Sequence, residues 1–241
     1  VEITSDRVPD TLLPLFEPVP PAGFILYRWN MESYKGTARL TKSLQEVGAR
    51  VGGGETKLLF AVDQEGGRVA NLRFPELPEL PSAFQQGMRK DPRYVASAAY
   101  LTSTDLRRVG IRMNFAPVLD LYPEADRTII GDRAFGGEPQ KVAALGRAHI
   151  RASMDAGIAP VAKHFPGHGV TTVDSHGSLP VSDLTLEELE RELAPFVAAI
   201  EAGVPAIMTA HILFPEIDEP DPPTLSPRLI EENLPARLRF R

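Results

Sequence analysis

The 241-residue chain contains no cysteine. That absence excludes disulfide frameworks, thiolate nucleophiles and every cysteine-ligated zinc or iron–sulfur centre. No run of 18 apolar residues occurs anywhere, so no membrane-spanning helix is expected. The first thirty residues lack the basic n-region and unbroken apolar stretch of a secretory signal. Positive charge is also short: 26 Lys and Arg stand against 32 Asp and Glu, a formal charge of −6. Nucleic acid and anionic membrane surfaces favour the opposite balance, and neither is expected as a partner.

What is present is ordinary globular composition, 43% hydrophobic and 24% charged, long enough for one large domain with its own core. Proline is plentiful at 23 residues, concentrated between Pro9 and Pro21 and between Pro215 and Pro235, where it stiffens loops. A weak internal repeat organises the centre. Three times a helical stretch ends at a glycine and an apolar strand follows at once: Gly110 before IRMNFAPVLD, Gly157 before IAPVAKHF, and Gly203 before VPAIMTAH. Each glycine suits the left-handed position that closes a helix. Two earlier runs, GFILYRW from Gly23 and LLFAVD from Leu58, have the apolar character of strands buried on both faces.

The helices between them carry start signals. Asp91-Pro92 reads as N-cap and N1, and Thr185 with Glu188 as a capping box. Val142, Leu145 and Met154 form an apolar stripe between Glu138 and Gly157. This strand-helix alternation predicts βα units on a parallel sheet, in either a (β/α)8 barrel or a doubly wound arrangement. The strand ends favour the barrel: Asp63, Asp120, Lys163-His164 and His211 each close an apolar strand, and such groups converge on one mouth when the sheet closes. Only five strands are evident before Arg241, so the expectation is a single domain over 1–241, an α/β (β/α)8 TIM-type barrel incomplete at its C-terminal end. SPRLIEENLPARLRFR reads as a Ser226-capped, Pro227-started helix leading toward a further strand.

The densest chemical signal is KHFPGHG from Lys163 to Gly169, followed by Asp174-Ser175-His176; three of the five histidines fall within it. Pro166, Gly167 and Gly169 break regular structure, which puts these polar groups on a loop above a strand end. His164, His168 and His176 have the donor type for zinc, although Pro166-Gly167 prevents the helical i, i+4 face of common His-x3-His sites. The stronger reading pairs Asp174 with His176 as a carboxylate-histidine general acid/base. A second constellation, DQEGGRV from Asp63, is either a glycine turn held by an Asp63–Arg68 or Glu65–Arg68 ion pair, or a place where Asp63 accepts from ligand hydroxyls. The loop Ile130–Gly136 presents Arg133, binding a ligand or bracing a carboxylate. Gly52-Gly53-Gly54 does not match P-loop spacing and reads as a turn.

Taken together, FAVDQEGGRV, NFAPVLD, IIGDRAF, APVAKHFPGHG, DSH and AIMTAH resemble family 3 glycoside hydrolases, and within them the bacterial β-N-acetylglucosaminidases. The β-glucosidases of that family generally lack the histidine-bearing loop. The resemblance implies a barrel fold and a retaining β-N-acetylhexosaminidase acting on terminal N-acetylglucosamine of peptidoglycan-derived saccharides or muropeptides, with no cofactor and no metal. It implies that His176 is the general acid/base tuned by Asp174, and that Asp63, Arg133, Lys163 and His164 hold the sugar. A cytoplasmic, monomeric protein is expected. Two departures stand out. Many such enzymes carry an arginine eight positions after the aspartate matching Asp63, where this sequence has Asn71 with Arg73 two further on, and the nucleophile that the resemblance implies is an aspartate on the strand that follows the segment matching Pro227 to Arg241. A truncated sequence is the expectation, and a non-catalytic sugar binder or a phosphorylase of the same family are the alternatives.

Overall fold

The computed structural model of the chain describes residue 14 and residues 19–52, 57–126, 129–171, 177–218 and 221–227. Among the described residues five parallel strands form the central sheet: β1 (Gly23–Ile25), β2 (Leu59–Val62), β5 (Met113–Asn114), β6 (Ala159–Phe165) and β7 (Ala206–Thr209), in the order β1-β2-β5-β6-β7. Chain order equals spatial order, as in a barrel, where no strand is inserted between earlier neighbours. A small antiparallel hairpin, β3 (Gln64–Gly66) with β4 (Val69–Ala70), leaves the end of β2. The whole is a curled half-barrel with helices between its strands. The helices are α1 (Tyr34–Val51), α2 (Ala83–Met88), α3 (Pro92–Arg108), α4 (Pro139–Asp155) and α5 (Leu186–Glu201).

Local chemistry explains the boundaries. Ser33 Oγ caps α1 by accepting from the Gly36 amide, and Asp91 caps α3 ahead of Pro92. Glu138 accepts from the Gln140 and Lys141 amides at the start of α4, and Thr185 and Glu188 form the capping box of α5. Gly110, Gly157 and Gly203 all lie at φ between 81° and 87°, the left-handed closure that the repeat predicts. The Ser226–Pro227 helix and the Gly53–Gly54 turn fall mainly or wholly outside the described residues.

Two apolar clusters flank the sheet. One joins β1, β2 and the inner face of α1 through Leu40, Leu44, Val47, Phe60 and Ile111; the other joins α4, α5 and β6 through Leu119, Leu145, Phe165 and Phe196. Helix α4 packs between α3 and α5. Val142 and Leu145 are buried there and Met154 packs at the edge, as the stripe predicts. On the same helix His149 is buried, and its Nε2 makes no hydrogen bond. Burial pushes this imidazole down to about 4, from about 6.5 for a histidine in water. Between those values the unfolded chain binds a proton that the native state refuses, so native stability falls as pH drops from about 6.5 toward 4. His149→Leu is therefore expected to gain on the wild type by about 3 kcal/mol between pH 7 and pH 4, read from urea unfolding at both. A constant difference between the two proteins would contradict the assignment.

Candidate active site

The site is assembled at the carboxyl ends of β2, β5 and β6. Strand β2 delivers Asp63, and the β3–β4 hairpin that follows is pinned by amide side chains. Asn114 at the end of β5 accepts from the Gln64 amide through Oδ1 at 3.0 Å and donates through Nδ2 to the Gln64 carbonyl at 3.0 Å. The Gln64 side chain in turn accepts from the Leu72 amide at 2.9 Å. The hairpin turn needs glycine. Gly66 and Gly67 lie at φ 100° and 55°, and a β-carbon on Gly66 would meet the Pro81 carbonyl at 2.6 Å. Glu65 is thereby held facing the mouth in a fixed position.

Around Glu65 and Asp63 the charges interlock. Lys163 Nζ lies 2.6 Å from Asp63 Oδ1 and 2.6 Å from Glu65 Oε1, with the lysine side chain only 2% exposed. Arg133 donates to the same glutamate twice, Nε to Oε2 at 2.9 Å and a terminal nitrogen to Oε1 at 2.8 Å, and to the Ile129 carbonyl at 2.9 Å. Burial by itself raises the Glu65 carboxyl, but the Lys163 ammonium and the Arg133 guanidinium outweigh it and hold it at about 2. The bidentate fork is a geometry that lysine cannot supply.

Strand β6 contributes a second dyad. His164 Nδ1 lies 2.6 Å from Asp120 Oδ2, and Asp120 Oδ1 accepts from the amides of His164 at 3.2 Å and His168 at 2.7 Å. Burial lowers the His164 imidazole below the ordinary histidine range, reinforced by the Lys163 and Arg133 charges and opposed by Asp120. Burial would raise Asp120, yet His164 and the two amides hold it down and ionised. An aspartate acceptor at Nδ1 fixes the proton there and leaves Nε2 as an acceptor, 3.4 Å from an Arg133 nitrogen. Lys163 and His164 both reach the mouth although adjacent side chains in a strand alternate. The β6–β7 register shifts between Lys163 and Phe165, which interrupts that alternation. The loop beyond β6 rests on α5: a β-carbon at Gly167 would lie 3.0 Å from Glu192 Cβ. Burial, with Asp120 nearby, raises the Glu192 carboxyl to about 7 against the pull of Arg191 and the Leu121 amide.

Of the residues expected from sequence, Asp63, Arg133, Lys163 and His164 meet in one cluster, while Asp174 and His176 lie outside the described residues. His211 is not part of it; its Nδ1 lies 2.9 Å from Thr224 Oγ1. The expected turn pairing of Arg68 with Asp63 or Glu65 is corrected: Arg68 Nε lies 2.9 Å from Asp132 Oδ1, because Lys163 and Arg133 already occupy both carboxylates. Arg133 braces a carboxylate and borders the mouth at once. The residues that sequence reasoning undervalued are Glu65, present in the DQEGGRV motif but not assigned to the site, and Asp120, visible as a strand-terminal acid. Glu192 carried no signal beyond its place in a helix. Among the described residues no group of three or more His, Asp or Glu is arranged to hold a metal ion.

The cluster alternates fixed donors, Lys163 and Arg133, with acceptors, Asp63 and His164 Nε2. That is the pattern vicinal hydroxyls require, since each hydroxyl both donates and accepts. Of the three carboxylates Asp63 alone is substantially open, at 25% exposure, against 3% for Glu65 and none for Asp120.

Residues 20–241 match the glycosyl hydrolase family 3 N-terminal domain. A β-hexosaminidase of Xanthomonas axonopodis pv. citri is 39% identical over 227 residues, 91% of this chain and 65% of that protein. The chain thus spans a little under two thirds of that relative's length. Among solved structures, a family 3 β-N-acetylglucosaminidase from Paenibacillus sp. superposes with a TM-score of 0.89 at 39% identity, over 98% of this chain and 44% of that one. NagZ from Neisseria gonorrhoeae, in complex with N-trifluoroacetyl-D-glucosamine, gives 0.87 at 31% identity, over 99% and 70%. Motifs, sheet order and these relatives converge on one conclusion: the chain belongs to the glycosyl hydrolase family 3 N-terminal domain family.

Proposed function

We propose that the protein carrying this chain is a retaining β-N-acetylhexosaminidase that removes terminal N-acetylglucosamine. The observation that carries the reading is the Asp63–Lys163–Glu65–Arg133 network with His164, a rigid set of donors and acceptors at the strand ends. Asp63, Lys163, Arg133 and His164 hold the hydroxyls of the sugar. His176 protonates the departing glycosidic oxygen while an aspartate, expected from the resemblance after the Pro227 to Arg241 segment, attacks the anomeric carbon. The same imidazole then takes a proton from water, which displaces the aspartate and restores the configuration. Asp174 orients that ring by accepting from one nitrogen, as carboxylates orient catalytic imidazoles elsewhere. This differs from the common two-carboxylate arrangement, in which the acid is Asp or Glu. The names of the relatives support an N-acetylglucosamine unit, and the substrate context implied by the resemblance is peptidoglycan-derived saccharides or muropeptides in the cytoplasm.

The test is hydrolysis of p-nitrophenyl N-acetyl-β-D-glucosaminide beside the matching β-D-glucoside, with proton NMR of the first-formed sugar. The expected result is preference for the N-acetyl substrate and initial appearance of the β anomer. Initial α anomer, or activity lost with a chelator and regained with zinc, would overturn the mechanism.

A further inference from the structure

The turn that follows β1 spends apolar surface in an unusual way. Leu26 and Met31 on either side of it are buried, yet Tyr27 is 37% exposed and Trp29 is 60% exposed. The two exposed rings stack on each other, with centroids 4.6 Å apart and planes within 10°. Their turn is rigidly closed: Asn30 Oδ1 accepts from the Tyr27 amide at 2.8 Å, and the Asn30 amide donates to the Tyr27 carbonyl at 2.8 Å. Stacked this closely, the two rings cover each other's inner faces and leave outer faces and edges to solvent, and a preformed aromatic surface left exposed in this way is a recognised mark of a binding surface.

Its position relates it to the site. Strands β1 and β2 pair in parallel with Ile25 opposite Ala61, and the Leu26 amide donates to the Ala61 carbonyl at 2.9 Å. The turn begins at Tyr27, two residues past Ile25, just as Asp63 stands two residues past Ala61. One side chain ties the two together: Asn71 Oδ1 accepts from the Arg28 amide at 2.9 Å, while its Nδ2 donates to the Asp63 carbonyl at 2.7 Å. Asn71 thus links the aromatic turn to the backbone of the one open carboxylate of the cluster.

We propose that Tyr27 and Trp29 form a stacking platform for a second pyranose ring, the sugar bonded through its hydroxyl to the anomeric carbon of the N-acetylglucosamine. The axial C–H bonds of a pyranose make one face apolar, and that face lies flat on an aromatic ring. The equatorial hydroxyls around its edge stay solvated, which a platform at the mouth permits. The inference rests on the N-acetylglucosaminide reading above and names the other half of its substrate.

Trp29 is the sole tryptophan of the 241 residues, so the chain reports on its own platform. The probes are N-acetylglucosamine and thio-linked N,N′-diacetylchitobiose, whose sulfur bridge resists cleavage. Calorimetry and tryptophan emission are followed together. The disaccharide is expected to change Trp29 emission saturably, whereas the monosaccharide binds without doing so. Trp29→Ala is expected to weaken the disaccharide about tenfold and leave monosaccharide affinity within about twofold, and Trp29→Phe to restore most of the loss. Disaccharide binding with unchanged emission, or equal weakening of both sugars in Trp29→Ala, overturns the platform and leaves the proposed function standing. Absence of calorimetric binding by either sugar overturns the function itself and the platform with it. Thermal unfolding of the variants controls for folding, which an exposed ring should barely affect.

Discussion

Replacing Lys163 with methionine is expected to cost about 3–5 kcal/mol of stability at pH 7, the usual cost of removing one partner from a buried charge pair. The size follows from the local charge count. In the wild type Lys163 and Arg133 face Asp63, Glu65 and Asp120. Without the lysine, three carboxylates are left with one guanidinium, and Glu65 is buried. The pH dependence separates this cause from lost packing. Glu65 is depressed to about 2, so in the wild type it contributes stability that is fully present above its unfolded value, near 4.5, and is lost as pH falls toward 2. Lys163→Met forfeits most of that contribution, so the gap between variant and wild type should be widest near neutrality and narrow below about pH 4. Urea unfolding at pH 7 and pH 3 reads this directly; an equal gap at both would show that the methylene stem, and not the charge, carries the effect. Binding of N-acetylglucosamine should fall as well, since Asp63 loses the ammonium that holds it 2.6 Å away.

His176→Ala is expected to reduce turnover on N-acetylglucosaminides by about 100- to 10,000-fold, the range for loss of a general acid/base. The loss should depend on the leaving group. A poorly acidic alcohol departs only with a proton and should suffer most, whereas a nitrophenolate departs unaided and should suffer less in the step that releases it. Affinity for the free sugar should change little, because its hydroxyls are assigned to Asp63, Arg133, Lys163 and His164. Steady-state rates across a series of aryl glycosides give the dependence, and a uniform loss across the series would remove His176 from the acid role.

Much of the architecture was legible because its determinants are local. Gly110, Gly157 and Gly203 close helices at positive φ, Asp91-Pro92 and Thr185–Glu188 open them, and each apolar run that follows becomes a strand. The hairpin partner Val69–Ala70 was hidden, since two residues carry no readable alternation. The site was legible in part for a related reason: a polar residue at the end of a buried strand has few structural explanations, and Asp63, Lys163 and His164 stand at such ends. Pairing was not legible. Arg68 looks like the natural partner of Asp63 or Glu65 because it is close in sequence, but it turns to Asp132, while Glu65 finds Arg133 sixty-eight positions away.

By itself, the sequence determined the alternation of strand and helix, the exclusion of cysteine chemistry, and the group of residues that could face the mouth. These are properties of neighbours along the chain, governed by backbone preferences and hydrophobic spacing. The tertiary structure alone decided which carboxylate meets which cation, that His164 meets Asp120 through Nδ1, and that Asn71 joins the aromatic turn to Asp63. Coulombic and hydrogen-bond energies depend on separations of a few ångströms and on burial, and strand order and register must be in place before either has a value.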